Sequence, residues 1–304
     1  AEYHLSYLSE AIGSESQLLF SEYCVWAKQL LLARNIPVKD LEQNLEVIKE
    51  VVENNLKGEQ GILAGKFVEK ALTFMREMPS ESVSFFENHN GPNGLLAVEY
   101  LQYLLKGQRQ QASQLILKSV ESGIPIKEIY ENVFEKSQYE IGRLWQANKI
   151  NVAQEHYCSA ATQLIMSQLY SHFNAGEQRN HKIVSACVEG DYHEIGIRMV
   201  SDYFEMEGWD TYHMGANVPM PALLKVLEEN HPDIVLLSAT MTYHVKKLAE
   251  VIEKIRANES LSTTKIMVGG YPFKIAPKLW QKIKADGFAS SAAEALINAQ
   301  ELIS

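Results

Sequence analysis

The sequence predicts a multidomain protein in which two helical blocks precede an α/β domain built on a doubly wound parallel sheet of five strands. From residue 182 onward, apolar runs of strand length alternate with helical periodicity, which is typical of βαβ units. Upstream the periodicity is helical throughout, and a turn-rich segment at 87–92 divides it into two blocks. These observations place domains at 1–90, 91–178 and 179–304.

The first two domains are predicted from helical patterns alone. In the first, apolar residues recur at helical spacing and helices end near 35–37 and 78–79. In the second, four helical patterns follow one another at 93–106, 108–122, 126–145 and 151–173. The short loops between them favour antiparallel neighbours, so this domain is predicted to be a four-helix bundle. We expect Asn151 to cap its last helix.

The third domain alternates the two kinds of pattern. Strands are expected at 182–188, 210–214, 233–239, 265–270 and 287–289. Helices are expected at 194–207, 219–230, 242–258, 275–284 and 291–303. Ligands of such sheets lie beyond the carboxyl ends of the strands. The loops at that edge are 189–193, 215–219, 238–243 and 269–274.

The loop after the first strand carries Asp191-x-His193-x-x-Gly196. An imidazole on such a loop can reach a metal, and the carboxylate two residues earlier can hold its other ring nitrogen. Gly196 lets the next helix begin close to a bulky ligand. No second His or Cys lies at the spacing of a zinc site, which favours a single protein ligand to a metal caged in a macrocycle. The alternative is a solvated or structural loop histidine.

The other loops at this edge carry small and hydroxyl residues. They are Gly215, Ser238 and Thr240, and Gly269-Gly270, and Val218, in the same loop as Gly215 and just before Pro219, is a further candidate cofactor-binding residue. This composition indicates a large, flat or elongated ligand that lies against the backbone. A nicotinamide site is disfavoured, because the first loop lacks the G-x-G-x-x-G spacing.

Three motifs, in this order, resemble the cobalamin-binding module: Asp191-x-His193-x-x-Gly196, Ser238-x-Thr240 and Gly269-Gly270. Methionine synthase, the corrinoid methyl carriers, the carbon-skeleton mutases and the cobalamin photoreceptors share that module. The resemblance implies a flavodoxin-like sheet that binds cobalamin with its own base displaced, with His193 as the lower cobalt ligand and Asp191 as its hydrogen-bond partner. It also implies that Ser238 and Thr240 face the displaced nucleotide tail, which the pair Gly269-Gly270 lets pass between strands.

The bundle carries a second pattern, in which nine residues separate Trp145 from Glu155-His156. From spacing alone, Trp145 is either a bundle anchor or a residue that converges with this polar pair. In front of a cobalamin module, the pattern resembles the helical cap of the cobalamin-dependent photoreceptors. That resemblance implies that Trp145 covers the upper axial group and that Glu155 and His156 line an adenosyl pocket. Gln146 departs from the family, because a histidine follows the tryptophan in its best-known members.

The first domain resembles the helical N-terminal region of photocobilins, photoreceptors that pair cobalamin with a bilin. The resemblance rests on aromatic and apolar residues, namely Tyr3, Leu5, Tyr7, Leu8, Phe20, Tyr23, Trp26, Leu30 and Leu31. It implies that biliverdin or another bilin binds as a second chromophore. The alternatives are an ordinary aromatic core and a domain for dimerisation or partner docking. Cys24 is a candidate thioether link, although a buried core cysteine is the simpler interpretation.

Composition limits the classes of function. The net charge of −10 argues against direct nucleic-acid binding, and the chain has no apolar stretch of about twenty residues for a membrane span. Three cysteines among 304 residues fit a reduced, cytoplasmic setting better than a disulfide scaffold.

Together these features predict a cobalamin light sensor rather than an enzyme. Photolysis of the adenosyl ligand is expected to change the conformation of the protein. It is also expected to change the association of the protein, either as a homo-oligomer or with a downstream signalling protein. The alternative is a corrinoid methyl carrier, which is a component of a methyltransferase system.

Overall fold

A computed structural model describes residues 2–86, 91–173 and 179–304. The predicted linker at 87–92 and the predicted boundary between 178 and 179 lie partly or wholly outside these described residues.

The C-terminal region forms one parallel sheet of five strands, as the sequence predicts. The strands are β1 (Lys182–Cys187), β2 (Asp210–His213), β3 (Ile234–Ser238), β4 (Lys265–Gly269) and β5 (Gly287–Phe288). Their spatial order is β2-β1-β3-β4-β5, the order of flavodoxin-like doubly wound folds. Every residue of β3 is buried because both faces of this central strand are covered, which explains its uninterrupted apolar run. Only β2, at one edge, alternates between exposed and half-buried residues.

Six helices accompany the sheet in the described part of this region. They are α10 (Ile195–Met206), α11 (Met220–Asn230), α12 (Val245–Arg256), α13 (Tyr271–Ile275), α14 (Leu279–Lys282) and α15 (Ala292–Ile303). A single-turn 3-10 helix, Thr242–His244, precedes α12. The single helix predicted at 275–284 is wrong, because α13 already ends at Ile275 and only the short α14 lies within that range. Pro277 disfavours helical backbone at the residue before it, and Ala276 accordingly has φ −117° and ψ 80°.

Helices fill the N-terminal region. They are α1 (Glu2–Gly13), α2 (Gln17–Leu32), α3 (Val38–Asn55) and α4 (Glu59–Glu77). In α3 the buried residues recur on one face, at Leu41, Leu45, Ile48 and Val52.

Four long helical segments form the predicted bundle. They are α5 (Pro92–Leu105), α6 (Arg109–Glu121), a continuous helical stretch from Ile126 to Gln146, and α9 (Val152–Leu169). The third contains α7 (Ile126–Ile129), a π-helical turn (Tyr130–Glu135) and α8 (Lys136–Gln146), a departure from the regular helix predicted there. Asn151 caps α9 in a reciprocal capping box with Gln154, which confirms the predicted cap.

Contacts divide the chain into two compact units. The first comprises the described residues of 1–25, 39–77 and 175–304, and therefore joins most of the N-terminal helices to the sheet. The second comprises those of 26–38 and 78–174, and therefore joins the end of α2 to the bundle. Among the described residues, no helix is both long and apolar enough to cross a bilayer.

Inside the second unit, a buried carboxylate ties the segment before α5 to the bundle. Glu140, on α8, accepts hydrogen bonds from Ser84 Oγ at 3.1 Å and from the backbone N–H of Phe85 at 3.0 Å. Arg143 donates to it at 2.6 and 2.9 Å. Burial alone would raise the pKa of Glu140, but these donors together hold that pKa below its usual value.

We expect Glu140→Gln to lower the free energy of unfolding by about 1–3 kcal/mol at pH 7, because buried donors lose a charged acceptor. A carboxyl whose pKa is depressed on folding stabilises the protein above its unfolded pKa of about 4.3, and this contribution disappears as pH falls through the folded pKa. The difference between wild type and variant, measured by urea unfolding, should therefore shrink below about pH 4. The exposed Glu121→Gln is the control. A difference independent of pH would contradict this account.

Candidate functional site

The candidate site lies at the carboxyl edge of the sheet, where the strand order reverses. β1 lies between β2 and β3, so the loops after β1 and β3 leave the sheet in opposite directions and open a crevice between them. Asp191 and His193 follow β1, and Thr240 follows β3. The site therefore occupies the part of the fold where ligands of doubly wound sheets bind.

Asp191 joins these two loops. Its side chain is fully buried, and Oδ1 accepts hydrogen bonds from His193 Nδ1 at 2.7 Å and from the His193 backbone N–H at 3.1 Å. Oδ2 accepts from the backbone N–H of Thr240 at 2.6 Å. One carboxylate therefore fixes both the imidazole and the start of the loop after β3.

The charge on Asp191 is stabilised by these donors. Burial works in the opposite direction and would raise the pKa of the carboxyl. Hydrogen bonds from His193 and Thr240, with the imidazole of His244 nearby, hold the pKa well below its usual range. The carboxylate is therefore anionic at neutral pH even though it has no contact with solvent.

His193 combines a fixed ring with exposure. Its side chain is 59% exposed, although Nδ1 is bound to a buried group. A histidine that engages a carboxylate through Nδ1 has its tautomer and ring orientation set, and such an imidazole binds metals through Nε2. The predicted pair of Asp191 and His193 is thus brought together by the fold.

His244 belongs to the same cluster and was missed in the sequence, where the loop was taken to end one residue earlier. It is 6% exposed, and its Nδ1 lies 3.8 Å from Asp191 Oδ2, too far for a direct hydrogen bond. Within the described part of the chain, this buried nitrogen has no hydrogen-bond partner. Gly190, with φ +90°, permits the approach, because a Cβ there would come within 3.2 Å of His244 Nε2.

Asn217, in the loop after β2, was also missed. Its backbone N–H donates to the carbonyl of Asp191 at 2.8 Å, and its Oδ1 accepts from the N–H of Gly190 at 2.7 Å. It has φ +50°, a conformation that asparagine tolerates better than most residues. An asparagine two residues before a proline in a predicted loop was the available signal.

The first glycines of the predicted set differ in their surroundings. Gly196 lies in the first turn of α10, and a Cβ there would meet nothing within 4 Å. Gly215 has φ +81°, and a Cβ there would lie 2.9 Å from Glu194 Oε2. Val218 is 7% exposed and pairs with Val188 just beyond β1. Space for a ligand is therefore found at Gly196, whereas Val218 is part of the packing.

The remaining positions lie at the ends of β3 and β4. Ser238 is 7% exposed and its carbonyl accepts from the N–H of Val188 at 3.1 Å. Gly270 has φ +109°, and a Cβ there would overlap the backbone of Ala239. The contact between neighbouring chain segments therefore already requires glycine at 270. At Gly269 a Cβ would make an ordinary contact of 3.6 Å with the carbonyl of Ala289.

In the bundle unit, Trp145 packs against the end of α2. Its ring lies 6.4 Å from that of Trp26, and the Arg34 guanidinium lies 5.4 Å from its centre. Arg34 also donates to the carbonyls of Trp145 and Gln146 at the end of α8. Gln146 is 7% exposed and donates to the Trp26 carbonyl at 3.1 Å, so this side chain holds the two helices together.

Glu155 and His156 pair with each other, Nδ1 to Oε2, at 2.6 Å on an exposed part of α9. Ser159 links Glu155 to Gln138, and Gln138 donates to Thr162, which shares a hydrogen bond with the buried Tyr100. A polar chain thus runs from the surface of α9 into the bundle.

Comparison with known proteins identifies the family. A family model described as "B12 binding domain" matches residues 181–297, and a second with the same description matches residues 96–170. Dimethylamine corrinoid protein 3 of Methanosarcina acetivorans is 31% identical over 193 residues, which are 62% of this chain and 89% of that protein. The chain belongs to the corrinoid protein family.

Two further corrinoid proteins agree with this assignment. Dimethylamine corrinoid protein 1 of Methanosarcina mazei is 29% identical, over 67% of this chain and 96% of that protein. The structure of the monomethylamine corrinoid protein of Methanosarcina barkeri superposes with a TM-score of 0.61 at 21% identity, over 69% of this chain and 99% of that one. At that identity the superposition supports the corrinoid protein fold alone.

Membership of this family corrects the functional prediction. The prediction of a light sensor was wrong, because the relatives are methylamine corrinoid proteins. The pattern of Trp145 and Glu155-His156 misled it: a tryptophan that ends a helix and a polar pair that begins the next suit any bundle. The comparisons support a corrinoid cofactor, and they give no support to an adenosyl ligand, a bilin or a signalling partner.

We expect Asp191→Asn to destabilise the first unit by about 1–3 kcal/mol, because Thr240 and His193 lose a charged acceptor in a buried setting. The exposed carboxylate Asp210, whose one ion pair among the described residues is with Lys182, offers the control Asp210→Asn. Urea unfolding followed by far-UV circular dichroism measures both variants. Equal stability of the two would show that the Asp191 hydrogen bonds contribute nothing net.

Proposed function

We propose that this chain binds a corrinoid with His193 as the lower cobalt ligand and serves as the methyl-carrying component of a methyltransferase system. The observation that carries the proposal is the hydrogen bond between Asp191 and His193, inside the segment that the B12 binding domain model matches. The relatives' names, with dimethylamine and monomethylamine, support a methylated amine as the methyl source.

The residues at the sheet edge fit the cofactor. A corrinoid would bring a cobalt already held by its own ring, so the protein would need to supply a single metal ligand rather than a cluster of them. His193 offers an exposed imidazole whose other nitrogen is fixed by a buried anion. Gly196 leaves open space at the start of α10, directly after this loop. When bound, the corrinoid supplies a cobalt centre that can accept a methyl group and give it up again.

The protein's own residues contribute orientation and charge. Asp191 holds the ring of His193 in one direction and strengthens its basicity, because a hydrogen-bonded carboxylate makes the imidazole a better donor. The Thr240 N–H and the Asn217 loop keep Asp191 in place from two sides. The ligand is thus oriented before the cofactor arrives, which lowers the entropy cost of binding.

Two further roles belong to this proposal. We propose that Ser238, Thr240 and Gly269 contact the nucleotide tail. We also propose that Trp145, Glu155 and His156, in the helical unit, are further cofactor-binding residues. The second B12 binding domain match, at 96–170, supports the latter. The partner is a methyltransferase that delivers the methyl group, so this chain is a carrier and not itself the catalyst.

Methyl transfer to the loaded chain tests the proposal. The corrinoid-loaded, reduced protein is mixed with ¹³C-dimethylamine and with a methyltransferase active on methylamine corrinoid proteins. The protein-bound ¹³C label is then quantified by mass spectrometry, per bound corrinoid. Wild type and the exposed control His172→Ala should take up label. His193→Ala should do so at least about tenfold more slowly, because the cobalt loses its protein donor. No labelling of the loaded wild type from dimethylamine, monomethylamine or methanol, each with its own methyltransferase, would contradict a carrier function.

A further inference from the structure

The first helix of the chain lies against the turn that follows β3. Tyr7, on α1, is 7% exposed. Its hydroxyl lies 4.0 Å from Met241 Sδ, and its ring meets Tyr243 edge-on with centres 5.5 Å apart. An element from the far N-terminus thus contacts the loop that supplies the Thr240 N–H.

Tyr7 is held firmly from its other side. Its ring stacks on Tyr23 with centres 3.7 Å apart and planes 13° from parallel. The hydroxyl of Tyr23 shares a hydrogen bond of 2.9 Å with His4 Nδ1. Because α1 and α2 both contribute to this stack, the position of the Tyr7 ring is set by two helices.

The C-terminal end of α1 is attached to the sheet region as well. Lys282, on α14, donates to the carbonyl of Ser14 at 2.9 Å and to Glu15 at 2.8 Å. The helix is therefore held at two places: near its middle, where Tyr7 contacts the turn after β3, and just beyond its C-terminal end, where Lys282 binds. Because α1 is held in this way, its contact with the turn after β3 restricts the position of that turn.

The turn Met241–His244 lies next to the buried carboxylate of Asp191. Tyr243 meets His244 edge-on with ring centres 4.4 Å apart, and His244 lies 3.8 Å from Asp191 Oδ2. Three residues before Tyr243, the Thr240 N–H donates to that same oxygen. A shift of the turn would therefore move both groups that face Oδ2.

We propose that Tyr7 is a positioning residue for His193: it holds the turn Met241–His244, and the turn holds Asp191 in the orientation that aligns the imidazole. The inference rests on the proposed role of His193 as a cobalt ligand. Residues 2–13 lie outside both segments that the B12 binding domain models match. The helix α1 is thus additional to the matched cofactor-binding segments, and it affects His193 indirectly, through the turn and Asp191.

A double-mutant cycle with aquocobinamide tests this inference. Cobinamide has no nucleotide base, so its affinity, measured by absorbance titration, reports ligation by the protein. Tyr7→Ala should weaken binding about fivefold to tenfold, less than a direct partner of the ligand would. In a His193→Ala background the same change should have no further effect, because the two residues act on one contact.

The controls separate alignment of the ligand from support of the fold. Tyr7→Phe keeps the ring packing and should bind within about twofold of wild type. Tyr3→Ala, on the same helix but 71% exposed, should bind like wild type. If Tyr7→Ala does not fold, Tyr243→Leu perturbs the same contact from the turn and should show the same dependence on His193.

Two results would overturn the inference: no loss of affinity in Tyr7→Ala, or an equal loss with and without His193. The second would mean that Tyr7 supports only the fold. Failure of the underlying function is a different result, because His193→Ala alone would then bind cobinamide like wild type.

Discussion

The buried carboxylate of Asp191 is the group on which the geometry of the site depends. It lies at the switch in strand order, it has no contact with solvent, and it accepts hydrogen bonds from the two loops that leave the sheet on either side. A buried anion is costly unless it is fully hydrogen-bonded, so the fold must place its donors accurately. The same requirement fixes the direction of the His193 ring.

The other features of the site support that carboxylate. Asn217 accepts a hydrogen bond from the N–H of Gly190 and donates one to the carbonyl of Asp191, and so joins the loop after β2 to the loop after β1. Gly190 admits the ring of His244 close to Oδ2, and α1 holds the turn that carries this ring. Ligand orientation is thus a property of the whole carboxyl edge of the sheet, extended by the N-terminal helices.

The sheet and the pairing of Asp191 with His193 could be predicted from sequence because both follow from local pattern: apolar strand runs, and a carboxylate two residues from an imidazole. The roles of His244, Asn217 and Tyr7 could not, because they arise from contacts between residues far apart in sequence, up to 234 residues for Tyr7 and Met241. The prediction of one helix at 275–284 was wrong because it overlooked Pro277, which disfavours helical backbone at the residue before it. The light-sensor prediction was wrong because the pattern of Trp145 and Glu155-His156 is not specific to a cofactor cap. The same residues can equally serve bundle packing and a surface ion pair.

We propose that the nitrogen bound to cobalt comes from His193. The most direct measurement is the electron paramagnetic resonance spectrum of the cobalt(II) form, compared between protein grown with ordinary histidine and with ¹⁵N-labelled histidine. Ligation by one ordinary nitrogen splits each cobalt line into a triplet, whereas a ¹⁵N donor splits it into a doublet. If His193 is the donor, the triplet becomes a doublet in the labelled protein, and neither splitting is seen in His193→Ala. A triplet that persists in the labelled protein would show that the donor is the nucleotide base of the cofactor and would contradict the account.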